Sequence, residues 1–111
     1  MSQQLLERGG VQLSAAPEGL AVRGNVDFEV AAALAEAGAE WLATRPAGTH
    51  ILLDLHGVER VSSAALSVLL EWTRRSRAAD VTIREVRLSL PLERLTRVAG
   101  LDDLLPLAAR A

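Results

Sequence analysis

Hydrophobic and polar residues alternate along Val11-Gln12-Leu13-Ser14-Ala15, the pattern of a half-buried strand. Pro17-Glu18-Gly19 is a turn signal, and Leu20-Ala21-Val22-Arg23-Gly24 reads as a second short strand, so the pair predicts a hairpin. The period then changes. After Asn25-Val26-Asp27, Val30, Leu34, Ala37 and Trp41 recur at helical spacing, flanked by Ala31, Ala35, Gly38 and Leu42. Asp27 precedes this helix, where an aspartate accepts backbone hydrogen bonds as an N-cap. Thr44-Arg45-Pro46-Ala47-Gly48 ends it, because Pro and Gly break the repeat.

His50-Ile51-Leu52-Leu53-Asp54-Leu55 is nearly all apolar, which predicts a central strand covered on both faces. Gly57-Val58-Glu59-Arg60-Val61 connects it to a second helix, from about Ser63 to Arg77. On that helix Leu66, Leu69, Leu70 and Thr73 share one side, and Ala65, Val68 and Trp72 an adjacent one. Trp72 serves either as core filler or as an interface anchor. Val81 to Val86 alternates as a further strand. Pro91 suits the first turn of a third helix, whose buried face is Leu92, Leu95, Val98 and Ala99. Gly100 is the expected left-handed cap, with Leu101 folding back, and residues 102–106 form a turn or short helix. The order β-β-α-β-α-β-α implies parallel neighbours joined by right-handed crossovers, plus one antiparallel pair. The expected fold class is α/β, a mixed four- to five-stranded sheet with helices mainly on one face.

Composition narrows the function. The 111 residues suit one domain, with a core from about 11 to 106. Only 3% are aromatic (Phe28, Trp41 and Trp72), too few for a base-stacking surface. Twelve basic against fourteen acidic residues give a net charge of −2, so no basic field draws a phosphate backbone and no nucleic-acid partner is expected. There is no cysteine, hence no disulfide or thiolate chemistry. The N-terminal residues lack a basic leader and a long apolar run, and no stretch is long enough to span a membrane. The expectation is a cytoplasmic protein with no direct membrane insertion.

Candidate chemistry is sparse. His50, Asp54 and His56 share a strand face by parity, but two unrelated polar positions at strand ends fit better than a metal site. Asp27, Asp54 and Glu59 have no catalytic partner in the pattern, and no Gly-rich loop precedes a helix, so no cofactor is expected. The corner Ser62-Ser63-Ala64-Ala65-Leu66 remains, where a buried strand turns into a helix start. Unpaired N–H groups and the positive end of the dipole collect there. A serine at that point is a cap, a phosphate acceptor or part of a docking surface.

The strand Ile51–Leu55, the loop Gly57–Val61, Ser62-Ser63-Ala64-Ala65-Leu66 and the leucines that follow resemble the STAS domain family, which includes bacterial anti-sigma factor antagonists. Gly24-Asn25-Val26-Asp27 resembles that family's Gly-x-Leu/Val-Asp segment, and Leu95 to Leu105 its closing helix and Gly-Leu turn. The likeness runs from about Val11 to Pro106 and implies a STAS fold. Phosphorylated antagonists read Asp-Ser-Ser/Thr-Gly-Leu at the corner, which puts Ser63 at the acceptor position and Ser62 in place of the Asp. The STAS subunit of Mla-type phospholipid ABC transporters is similar across Val58-Glu59-Arg60-Val61 and the leucine-rich helix. Its corner reads Asp-Thr-Gly-Gly-Leu, so Ser63 matches the Thr and Ala64-Ala65 the two small residues. This second likeness implies a non-enzymatic cytoplasmic subunit that binds the transporter's ATPase at the inner membrane and helps maintain outer-membrane lipid asymmetry. Its partner-binding residues would be Ser62, Ser63, Ala64, Ala65 and Ser67. The alternative it leaves open is an anti-sigma factor antagonist whose partner is an anti-sigma factor kinase and whose Ser63 is the phospho-acceptor.

Overall fold

The computed structural model describes residues 2–60 and 62–106; Val61 of the connecting loop lies outside the described residues. Five strands form one sheet in the order β1 (Gln3–Arg8), β2 (Val11–Ala16), β3 (Gly19–Gly24), β4 (His50–Val58) and β5 (Thr82–Leu88). β1, β2 and β3 pair antiparallel, whereas β3–β4 and β4–β5 are parallel. Each parallel step is bridged by a helix, α1 (Phe28–Ala43) and then α2 (Ser63–Ala78), and α3 (Leu90–Val98) follows β5.

The hairpin read from Val11 to Gly24 is present as β2–β3. It is preceded by a strand that the hydrophobic pattern does not predict. Arg8 pairs with Val11 across the two-residue turn Gly9-Gly10, and both glycines have positive φ (58° and 83°). That is the backbone a tight hairpin turn requires and that glycine reaches at little cost. The register shifts between Gln4 and Leu6, so adjacent Leu5 and Leu6 both pack against the core and the strand shows no alternation.

One face of the sheet carries the core. Rows such as Leu13-Val22-Leu55-Leu88 and Ala15-Leu20-Leu53-Val86 are buried. The intervening residues Ser14, Ala21, Leu52 and Asp54 are only half-buried. β4 is therefore interior to the sheet but not covered on both faces: α1 and α2 pack against the same side, and apart from Leu52 the other keeps small or polar residues. The apolar run of β4 includes Leu52 on the open side, which is why it reads as doubly buried.

The two helices lock through Trp72, which is fully buried. Its Nε1 donates to the Ala35 carbonyl at 3.0 Å. Its ring fills the space where a Cβ on Gly38 would stand, so the helices approach at the one residue without a side chain. The choice between core filler and interface anchor is settled in favour of core.

The sheet divides the sides of α2, and on α3 the buried face differs from expectation. Leu70 is 41% exposed, because the sheet side of α2 is taken by Ala65, Leu66, Val68, Leu69 and Trp72. On α3, Val98 is 85% exposed and Ala99 is exposed, while Leu92 and Thr96 are fully buried. The Thr96 hydroxyl is satisfied by the Leu92 carbonyl at 2.8 Å, which lets a polar residue occupy the inward position. The cap at Gly100 is as read: its N–H donates to the Arg97 carbonyl and that of Leu101 to the Thr96 carbonyl. Residues 102–106 form a turn rather than a helix. Leu105 is buried, and the Pro106 carbonyl accepts from the Val86 N–H at 2.8 Å, on the outer edge of β5.

Gly38→Ala should be destabilising by about 1–3 kcal/mol despite alanine's better helix propensity, because the added methyl overlaps the Trp72 ring. Urea denaturation compared with Ala32→Gly, at an exposed α1 position, checks it. A melt equal to wild type for Gly38→Ala would mean that the ring has room to move.

Candidate functional site

The connection from β4 to α2 is tied bond by bond to the connection from β3 to α1. The Glu59 N–H donates to the Gly24 carbonyl at 3.0 Å. The Arg60 N–H donates to Asn25 Oδ1 at 3.2 Å, and Ser62 Oγ to the Val26 carbonyl at 2.9 Å. Three consecutive residues of one loop thus accept from three residues of the other. Next in line, Asp27 caps α1: its Oδ1 accepts from the N–H groups of Glu29 and Val30 at 2.9 and 3.1 Å. Ser62 caps α2 and accepts from the Ala64 N–H at 3.2 Å. Its hydroxyl is used twice, once as donor to the neighbouring loop and once as acceptor from its own helix.

This arrangement sorts the serine corner into holding and presenting residues. Ser62 is half-buried and holds the turn. Ala64 and Ala65 are buried in the chain, and their small size lets α2 start close to the sheet. Ser63, the first residue of α2, and Ser67, one turn on, are exposed. Ser67 Oγ donates to the Ser63 carbonyl at 3.1 Å, and the Ser63 side chain is exposed, with no hydrogen bond to another described residue. The first turn of α2 carries no carboxylate.

Phe28 begins the neighbouring helix, whose approach segment Ser62 holds. It is the first residue of α1, two positions after the carbonyl that Ser62 grips, and it is 71% exposed. The sequence pattern marks Phe28 only as one of three aromatics. The available signal is its place directly after the capping Asp27, outside the Val30, Leu34 and Trp41 stripe.

The other candidates resolve as local structure. Asp54 Oδ1 accepts from the His56 N–H at 3.0 Å, within its own strand end. Among the described residues no group of three His, Cys, Asp or Glu side chains is placed to hold a metal ion. Farther along α2, Glu71 accepts from Arg74 Nη2 at 2.5 Å and from Arg75 Nε at 2.8 Å. Its carboxyl is held below the ordinary glutamate range by the hydrogen bond from Arg74 first and that from Arg75 second.

A family described as "Mlab, STAS domain" matches residues 10–106, nearly the whole chain and all of the corner. The chain belongs to the STAS domain family. The fold agrees: an anti-sigma-factor antagonist (STAS) domain protein from Planctomyces limnophilus superposes with a TM-score of 0.62. That similarity covers 91% of each chain at 16% identity. No curated protein matches the sequence. Among the described residues of this STAS chain, no helix is long and apolar enough to cross a membrane.

Ser62→Ala removes both bonds of the holding hydroxyl and should lower stability by about 1–2 kcal/mol. Ser63→Ala should change it by less than about 0.5 kcal/mol, as at other exposed sites. Urea denaturation of the two variants measures the contrast, and equal losses would remove the distinction between holding and presenting.

Proposed function

We propose that this STAS chain is a non-enzymatic accessory subunit of an Mla-type phospholipid ABC transporter. It binds the transporter's ATPase in the cytoplasm, sits at the inner membrane through that partner, and supports the transport that maintains outer-membrane lipid asymmetry. The observation that carries the reading is the match of residues 10–106 to the Mlab STAS family. The geometry supports a docking role. The polar groups of the corner are spent on holding it: Asn25, Asp27 and Ser62 all bond to backbone. Outward it offers the exposed Ser63 and Ser67 and, at the start of the neighbouring helix, the exposed ring of Phe28. A rigid surface with one aromatic and small polar neighbours suits protein recognition, where aromatics dominate binding energy.

A second reading rests on the Ser63 hydroxyl. It is exposed on a first turn without a carboxylate, where a phosphoryl group would meet helix N–H donors. In that case the partner is an anti-sigma factor kinase and the switch is phosphorylation of Ser63. Mass spectrometry after incubation with such a kinase separates the two, since the transporter reading expects no phosphate at Ser63.

Ser63→Arg and Phe28→Ala should each abolish co-purification with the cognate ATPase while melting within about 1 kcal/mol of wild type. Ser63→Glu should also weaken retention, although its charge suits a helix start and leaves stability nearly unchanged. If all three variants fold normally and keep the ATPase, the corner is a helix cap and the docking reading is wrong.

A further inference from the structure

The far end of α2 breaks a rule that the rest of the helices keep. Four hydroxyl side chains lie within the helices beyond their first turns. Three of them donate to the carbonyl four residues back: Ser67 to Ser63, Thr73 to Leu69 and Thr96 to Leu92, at 3.1, 2.8 and 2.8 Å. Ser76 is the fourth and does not. It is only 1% exposed, and its Oγ has no hydrogen-bond partner among the described residues. A buried hydroxyl left unpaired is costly, and back-bonding to its own helix is the remedy the other three use. Such a group in a native interior calls for a partner of another kind.

Ser76 lines a cleft of about 270 Å³. Arg77 joins it from α2, Thr82 and Ile83 from the start of β5, and Leu104 and Pro106 from the turn after α3. No carboxylate lines this cleft. Arg74 and Arg75 are held by Glu71, whereas Arg77 is exposed and forms no ion pair among the described residues. α2 ends here, yet its negative pole is covered. The carbonyls of Arg75, Ser76 and Arg77 all accept from N–H groups of Ala79, Asp80 and Val81. The lining thus combines one guanidinium, an unpaired buried hydroxyl and the apolar surface of Ile83, Leu104 and Pro106.

We infer that this cleft binds a small carboxylate bearing a short apolar chain. The carboxylate accepts from Arg77 and from the Ser76 hydroxyl, which gives that hydroxyl the partner its own helix does not. The chain lies against Ile83, Leu104 and Pro106. Charge-assisted hydrogen bonds favour the ionised acid over an alcohol of equal length, and a cationic ligand meets Arg77 as a like charge. The volume lies below the range that drug-sized ligands fill, so a ligand of a few carbons fits and a long-chained lipid does not. The site is distinct from the serine corner, about 20 Å along α2 at 1.5 Å per residue, and does not rest on the transporter reading. A bound ligand ties α2, β5 and the closing turn together, so it stabilises the fold as its concentration rises.

The test is an NMR titration of the isotope-labelled chain with sodium hexanoate, with hexanol and hexylamine as probes of equal length. Hexanoate should shift the amides of residues 76–83 and of Leu104 saturably, with a Kd on the order of 1 mM, and raise the melting temperature. Hexanol and hexylamine should bind about fivefold or more weakly. Arg77→Gln, at an exposed position, should melt like wild type and weaken hexanoate by a similar factor. Ser76→Ala should also weaken it, although without ligand the variant should melt no lower than wild type, since no hydroxyl is left unpaired. If Ser76→Ala folds poorly, Arg77→Gln carries the test alone. Absence of a saturable shift with hexanoate would overturn the site. Equal affinity for hexanol would overturn the carboxylate, and unchanged hexanoate affinity in Arg77→Gln would overturn the placement of its charge.

Discussion

The structure depends on the seating of Trp72 against Gly38. A buried indole removes about 200 Å² from water, worth roughly 5 kcal/mol as an upper bound at ~25 cal/mol per Å². Its N–H must find an acceptor in a low-dielectric interior, and the Ala35 carbonyl supplies one. The ring thus fixes how deeply α1 and α2 approach and how each is rotated about its axis. Because both helices bridge successive parallel strands, they run the same way, and that fixed approach brings their N-termini to the same end of the sheet. The bonds from Glu59, Arg60 and Ser62 to Gly24, Asn25 and Val26 then become geometrically available.

The sheet completes the logic. Only one of its faces is layered with helices, and the alternation of β2 and β4 records this in burial even where the residues themselves are uniformly apolar. Apart from Leu52, the side chains named on the open face are small or polar, which suits a surface that makes no core. The outer edge of β5 is occupied at Val86 by the Pro106 carbonyl, so the segment after α3 returns to satisfy a strand that would otherwise present unpaired donors.

Most of this architecture was legible in the sequence, because burial imposes period: the β2–β3 hairpin, the α1 and α2 stripes, Ser62-Ser63 at a helix start and the Gly100 cap all follow from local rules. What was not legible came from contacts between distant segments. β1 hides its alternation behind a register shift, although Gly9-Gly10 marks its turn. Leu70 and Val98 look like core residues by spacing but face outward, since a helix of fixed radius can present only part of an apolar side to one sheet. Thr96 is polar by type and buried in fact, its hydroxyl absorbed by its own helix. At the corner, pattern located the serines, but only the three bonds between the loops distinguish Ser62, which holds, from Ser63, which presents. The exposure of Phe28 is not legible in the sequence because it is a property of the assembled layer and not of neighbouring residues.

The separation of holding from presenting residues has a consequence for how such a scaffold changes over time. The bonds that position the corner are made by Asn25, Asp27, Ser62 and backbone groups, and its floor by Ala64 and Ala65. Phe28, Ser63 and Ser67 contribute little to that frame. If the proposed docking surface is right, substitutions at these three positions meet weak selection for stability and strong selection for fit. A duplicated copy is free to acquire a different partner by altering a few exposed side chains while the helix starts, the loop ties and the buried indole stay as they are. On that reading, divergence in this scaffold should concentrate on a small outward patch while the frame beneath is retained.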